Sequence, residues 1–365
     1  MSRYIPLVGA CTALLALSAC ELGEKITQQT GYRGAGLAQV YDPDNYGTPE
    51  DLPPPPYALP PEGGPLATET YENVQVLTDM NTEQFNHLMA AITQWVSPDE
   101  GCAYCHNPAD MADDSVYTKD VARRMLQMTR ALNGEWASHT GETGVTCYTC
   151  HRGEPVPANV WAYTPQGNAM SIRGQRRGQN APNPNVGYSS LPSDIFASYF
   201  EGDPSVVRVA SSSAYPSAGH RISTMDAENS YAVMMHLSQA LGVNCTYCHN
   251  SQSFQSWTQS SAQRNTAWYG IRMVRDTNEQ YITPLAPIFP ANRKGPLGDP
   301  LKVNCLTCHQ GQAKPLGGQS MRQDYPYLHP PGVIPTELPT GENLISEILE
   351  RPRQLTGESG APNVP

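Results

Sequence analysis

The sequence predicts a mainly α chain with extensive irregular structure, arranged as two related modules. Three observations predict it. Apolar stripes of helical period precede Cys-x-x-Cys-His pentapeptides. The four pentapeptides sort into two similar pairs. The 34 prolines and 30 glycines among 365 residues keep much of the chain between them out of helices and strands.

The pentapeptides are Cys102 to His106, Cys147 to His151, Cys245 to His249 and Cys305 to His309. This spacing is the attachment signal for c-type haem. Two cysteines three apart each form a thioether to one vinyl group, and the adjacent histidine ligates the iron from the proximal side. One such run is compatible with a zinc half-site, but four in one chain point to four covalently bound haem c groups. They are expected on Cys102 and Cys105, Cys147 and Cys150, Cys245 and Cys248, and Cys305 and Cys308. The proximal ligands are His106, His151, His249 and His309. A hydrophobic fraction of 39% is thin for a self-made core. Porphyrins supply the missing apolar volume, so haem is expected to be needed for folding.

Of ten cysteines eight lie in the motifs, leaving Cys11 and Cys20, so no disulfide is expected. Arg3 precedes an apolar run, Ile5 to Leu17, closed by Leu17-Ser18-Ala19-Cys20. Residues 1–20 therefore read as a signal peptide with a lipobox in which Cys20 is lipidated; an uncleaved signal anchor is the alternative. No later stretch has the roughly 20 apolar residues that span a bilayer. Residues 21–72, with Pro53 to Pro56 and Pro60-Pro61, read as a proline-rich extended segment, either a tether or a strap along a partner.

The first haem unit opens at Asn81-Thr82-Glu83, a helix start, followed by Phe85, Leu88, Met89, Ile92 and Val96 at helical spacing. Met89 lies on that stripe, whereas His87 is turned about 200° from it; Met89 is thus the favoured axial ligand of the first haem. The second stripe is Val121, Met125, Met128 and Leu132, where Met125 and Met128 both face the right way. The third offers Tyr231, Met234, Met235, Leu237 and Leu241, with His236 off the Met234 face.

Units one and three share Cys-x-Tyr-Cys-His-Asn, and units two and four share Cys-x-Thr-Cys-His-x-Gly. Arg124-Met125 and Thr129 answer Arg272-Met273 and Thr277. A duplicated two-haem unit follows: two dihaem modules, residues 73–155 and 216–325, related by a pseudo-twofold. A connector, 156–215, joins them, and a proline-rich C-terminal extension, 326–365, holds a short helix from Glu342 to Glu350.

Further runs carry a family resemblance: Thr93-Gln94-Trp95-Val96-Ser97-Pro98, Val121 to Leu126, Gly144-Val145-Thr146-Cys147 and Trp268 to Asp276. Over roughly residues 71–327 the chain resembles the tetrahaem cytochrome subunit of purple-bacterial photosynthetic reaction centres. The resemblance implies an electron-transfer subunit on the periplasmic face of the inner, photosynthetic membrane, bound to the reaction-centre membrane subunits. There it takes electrons from a soluble carrier, a small c-type cytochrome or iron–sulfur protein, and re-reduces the photo-oxidised bacteriochlorophyll pair. It implies Met89, Met125 and Met234 as axial ligands of haems one to three, and His139 for haem four, where the internal repeat nominates Met273 instead. The C-terminal extension departs from family members that end soon after the fourth unit.

With a sixth ligand at every iron no coordination position is open to substrate, which argues against an enzyme. The rival reading is a tetrahaem carrier or reductase subunit of a non-photosynthetic membrane oxidoreductase. His87, His220, His236 and His329 read as surface or structural residues. The formal charge of −11 favours basic partners and no nucleic acid is expected.

Overall fold

The computed structural model describes residues 26–29, 38–41, 51–165, 176–181, 183–202 and 223–329. Cys20, His220 and residues 330–365, with the expected helix from Glu342 to Glu350, lie outside them.

The chain is mainly helical with much irregular structure. The segment expected to be extended opens instead on an antiparallel pair of strands. β1 (Ile26–Gln29) and β2 (Ala38–Tyr41) set Ile26 opposite Tyr41 and Gln29 opposite Ala38. Ile26, Val40 and Tyr41 are good strand formers with no proline among them. From residue 51 the proline-rich run lies on the chain's own first haem unit: Leu52 packs on the core, and the Pro61 carbonyl accepts from Asn81 Nδ2 at 3.0 Å. A single turn, α1 (Ala67–Thr70), follows.

α2 (Thr82–Val96) starts where Asn81 Oδ1 accepts the Gln84 N–H at 2.8 Å. It is apolar on more than the expected stripe. His87, Leu88, Ala91 and Trp95 are buried, while Phe85, Met89, Ile92 and Val96 stay half-buried at the cluster's edge. α3 (Tyr117–Gly134) carries Met125 and Met128, both half-buried. α7 (Thr224–Leu241) opens on a capping box between Ser223 and Asp226 and stops at Gly242. Tyr231, expected on its apolar stripe, is 56% exposed; the helix buries Ala232, Val233, His236 and Ala240 instead. α8 (Ala262–Asp276) runs on into a π-helical turn, Thr277–Ile282.

The pentapeptides divide as their sequences do. The first and third begin as 3₁₀ turns, Gly101–Tyr104 and Cys245–Tyr247. The second and fourth are α-helical turns, α5 (Cys147–His151) and α9 (Cys305–His309), each ended by a left-handed residue, Arg152 and Gln310. Other details repeat as well. The Thr118 hydroxyl donates to the Tyr104 carbonyl, and the Ser261 hydroxyl donates to that of Tyr247 at 2.6 Å. Asn133 is clamped to Val145 by two hydrogen bonds, and Asn278 to Val303 likewise. The Gly153 N–H reaches the Trp95 carbonyl at 2.8 Å, as that of Gly311 reaches Ala240 at 2.9 Å.

Two apolar clusters hold these elements. One gathers α7, α8, the end of α3 and connector residues Trp161, Val186, Ile195 and, on the short α6 (Phe196–Phe200), Phe196 and Phe200. The other joins α2 and Leu126 to Leu316, Met321, Tyr325, Tyr327 and Leu328, so the stretch after the fourth pentapeptide folds back on the first haem unit. Between the halves α5 packs on α9, and α4 (Ala137–Thr140) packs on α8.

Candidate functional site

Each pentapeptide histidine is oriented in the same way. Nδ1 of His106, His151, His249 and His309 meets the carbonyl of Met111 (3.0 Å), Glu154 (2.8 Å), Phe254 (3.0 Å) and Gln312 (2.9 Å). A carbonyl only accepts, so Nδ1 carries the proton and Nε2 keeps its lone pair for a metal. Burial also favours the neutral imidazole: it pushes His309 down to about 4, with a smaller contribution from His139, and lowers His151 and His249. This donor set suits a c-type haem iron. Among the described residues no group of three or more His, Cys, Asp or Glu gathers to hold a bare metal ion.

A repeated turn falls at two of the candidate methionines. The Thr93 hydroxyl donates to the Met89 carbonyl at 2.9 Å and lies 4.0 Å from Cys102 Sγ. The Thr129 hydroxyl donates to the Met125 carbonyl at 2.9 Å and also contacts the Cys147 thiol. The turn falls at Met125 rather than Met128, and both side chains are half-buried. Met234 is half-buried on α7. Met273 has the same turn, with Thr277 donating to its carbonyl at 2.7 Å, but its side chain is buried in the apolar cluster of α7 and α8.

His139 lies on α4 and reaches across to the other half. Its Nδ1 meets the Thr266 carbonyl at 2.9 Å, which leaves Nε2 free as in the four proximal histidines. Its ring centre is 6.0 Å from that of His309. Two imidazoles sharing one metal at about 2 Å each have ring centres roughly 6 Å apart. Gly270, in the middle of α8, makes the space: a Cβ there would come within 2.5 Å of His139 Cε1 and 2.8 Å of Nδ1. A glycine inside a helical stripe costs roughly 1 kcal/mol against alanine, and that is the signal by which the sequence points to this close approach.

One expectation needs correcting. Cys150 and Cys308 form a disulfide, Cα atoms 4.6 Å apart, although all motif cysteines were assigned elsewhere. The cause is the packing of α5 on α9, which brings together sulfurs 158 residues apart in sequence. His87 and His236 are structural but not superficial. His87 sits among Tyr57, Tyr325 and Tyr327, with its Nε2 3.0 Å from the Tyr57 carbonyl. His236 packs edge-on against Phe196 and Phe200, and burial lowers it to about 4. His329 is likewise only partly exposed, against Gly144.

The family model for the photosynthetic reaction centre cytochrome c subunit matches residues 22–329. The chain belongs to this family. It is 45% identical over 331 residues to the photosynthetic reaction center cytochrome c subunit of Rubrivivax gelatinosus, covering 90% of each chain. It is also 45% identical over 319 residues to the subunit of the same name from Thermochromatium tepidum, covering 87% of this chain and 78% of that one. Cytochrome c-554 of Chloroflexus aurantiacus is more distant, 26% identical over 297 residues, with 67% and 69% covered. The protein is thus a reaction-centre cytochrome c subunit carrying covalent haem c, an electron donor to the special pair and not an enzyme. No described helix is long and apolar enough to cross a membrane.

Proposed function

We propose that the chain is a four-haem conductor: two dihaem modules related by a pseudo-twofold, linking a soluble carrier to the membrane-embedded reaction centre. The observation that carries it is the identical Nδ1-to-carbonyl bond at four pentapeptide histidines. Haem c, when bound, supplies a one-electron iron couple. The cysteine pairs hold the four groups, so that in the holoprotein Cys150 and Cys308 form thioethers in place of the bond they share here, and His106, His151, His249 and His309 bind them from the proximal side. Met89, Met125, Met234 and His139 complete the sets. The contact of His139 with His309, and the burial of Met273 in core, favour the histidine at the fourth site.

The loops after the first and third pentapeptides differ in a way that suits opposite ends of such a path. Residues 107–116 carry Asp110, Asp113 and Asp114, with Asp99 and Glu100 exposed just before the motif. This end suits a basic soluble carrier, such as a small c-type cytochrome or iron–sulfur protein. Residues 250–259 carry no charge and expose Phe254 and Trp257. This second end suits the reaction-centre membrane subunits. β2 lies on the third pentapeptide, where the Val40 N–H donates to Asn244 Oδ1 at 3.3 Å and the Thr246 hydroxyl to the Ala38 carbonyl. Cys20 precedes Ile26 by six residues, a reach of at most roughly 20 Å. A lipid on Cys20 would therefore hold that end to the periplasmic face of the inner membrane.

Intact mass of the mature chain tests the assignment. The expected value is that of residues 20–365 with acyl groups and four haems, and no Cys150–Cys308 bond. A chain retaining residues 1–19, or short of a haem, contradicts it.

A further inference from the structure

We infer that Lys119 is a positioning residue that raises the reduction potential at the first pentapeptide, acting through a carbonyl that it shares with His106. The inference rests on the reading that this pentapeptide carries haem with His106 as ligand.

Lys119 is the third residue after Val116 and points back from the first turn of α3 into the loop behind the first motif. It is 8% exposed. Its ammonium donates to three consecutive carbonyls, Met111 at 3.0 Å, Ala112 at 2.8 Å and Asp113 at 2.9 Å, and lies 3.0 Å from Asp114 Oδ1. The Met111 carbonyl is also the acceptor for His106 Nδ1. Histidine becomes a stronger, more anionic donor as its Nδ1–H bond strengthens, which favours the oxidised metal. An ammonium on the same oxygen draws off acceptor strength, so His106 donates less and the reduced iron is favoured. The positive charge acts in the same direction.

The surrounding charges make the carbonyl contact the decisive element. Asp114 is shared by Lys119 and Arg123, which also pairs with Asp120 at 2.8 Å, so the four groups nearly cancel at a distance. Asp113 spends its carboxylate on Asn107 and Ser115. Those four groups together exert little long-range field, Asp113 keeps its negative charge with or without Lys119, and the direct contact on the Met111 oxygen remains.

The internal repeat supplies a control within the same molecule. Thr118 and Ser261 hold equivalent places, each donating to the tyrosine 14 residues before it, so Ala262 stands where Lys119 does. Ala262 is exposed and brings no cation to the Phe254 carbonyl that accepts from His249; the nearby Arg264 bonds to the Ser256 carbonyl instead and acts on His249 only through its charge.

The test is a redox titration of the detergent-solubilised full-length holoprotein, followed in optical and electron paramagnetic resonance spectra. In Lys119→Ala one Met/His haem component should move to lower potential and the other three should stay in place. In Ala262→Lys a different component should move upward. Haem content per chain is measured alongside. Loss of the first haem from the wild type would sink the underlying reading. Four haems with unmoved potentials in both variants would overturn the inference alone and leave Lys119 a loop staple. If Lys119→Ala does not accumulate, Ala262→Lys decides, since it leaves the first unit intact.

Discussion

A single imidazole spans the two halves of the molecule, and a missing methyl group makes room for it. His139 reaches His309 only because residue 270 has no Cβ. Gly270→Val should push the imidazole off its position, leaving one haem five-coordinate, high-spin and able to bind carbon monoxide. His139→Met should instead keep all haems low-spin, raise the potential of one, and add a fourth sulfur-to-iron charge-transfer band. A Gly270→Val protein with four unchanged low-spin spectra would remove His139 from the iron. Residue-level reading of the sequence picked out four histidines by the spacing that attachment chemistry requires, and all four turn Nδ1 to a carbonyl. It could not decide between His139 and Met273, because nothing local says that residue 139 lies on α8. Lys119 left no sequence signal at all: its partners are main-chain carbonyls, which every residue has.

At the scale of elements, periodicity located three of the helices that precede the motifs and the internal repeat the fourth, but not which face each would bury. α2 and α7 are apolar or neutral on more than one side, and tertiary partners chose: aromatic residues from 325–327 and from 196–200 cover His87 and His236. The N-terminal strand pair was missed because four-residue strands carry too few alternations to read. The repeat, by contrast, was legible and extends to the joints between elements. At the end of α7 the backbone of Gly242 turns left-handed, φ 64°, and a Cβ there would meet the Gly311 carbonyl oxygen at 2.1 Å. Gly242→Ala should cost at least about 1–2 kcal/mol from the left-handed backbone alone, before the clash with Gly311. Thermal denaturation of the holoprotein should show a midpoint lower by several degrees. An unchanged midpoint would mean that α7 and the loop after α9 are not held in contact.

For the whole molecule the decisive asymmetry is electrostatic, since the two ends are built from the same repeat. The loop after the first motif and the loop after the third present a carbonyl to the proximal histidine from the same offset, Met111 and Phe254, yet one loop is acidic and the other uncharged. A formal charge of −11 spread evenly would steer a basic carrier to any face. Charge concentrated at the first motif steers it to one, and exposed charges beyond about 8–10 Å are screened at physiological salt, so only local acids count. Asp99 and Glu100 are exposed and in no ion pair among the described residues, which makes them suitable probes. Asp99→Asn with Glu100→Gln should lower the second-order rate of haem reduction by a basic carrier at low salt and flatten its decline as salt rises. The exposed Glu142→Gln, away from that loop, should leave both unchanged. Equal effects from the two changes would show that net charge alone steers the carrier, and a wild-type rate indifferent to salt would move docking to an apolar surface.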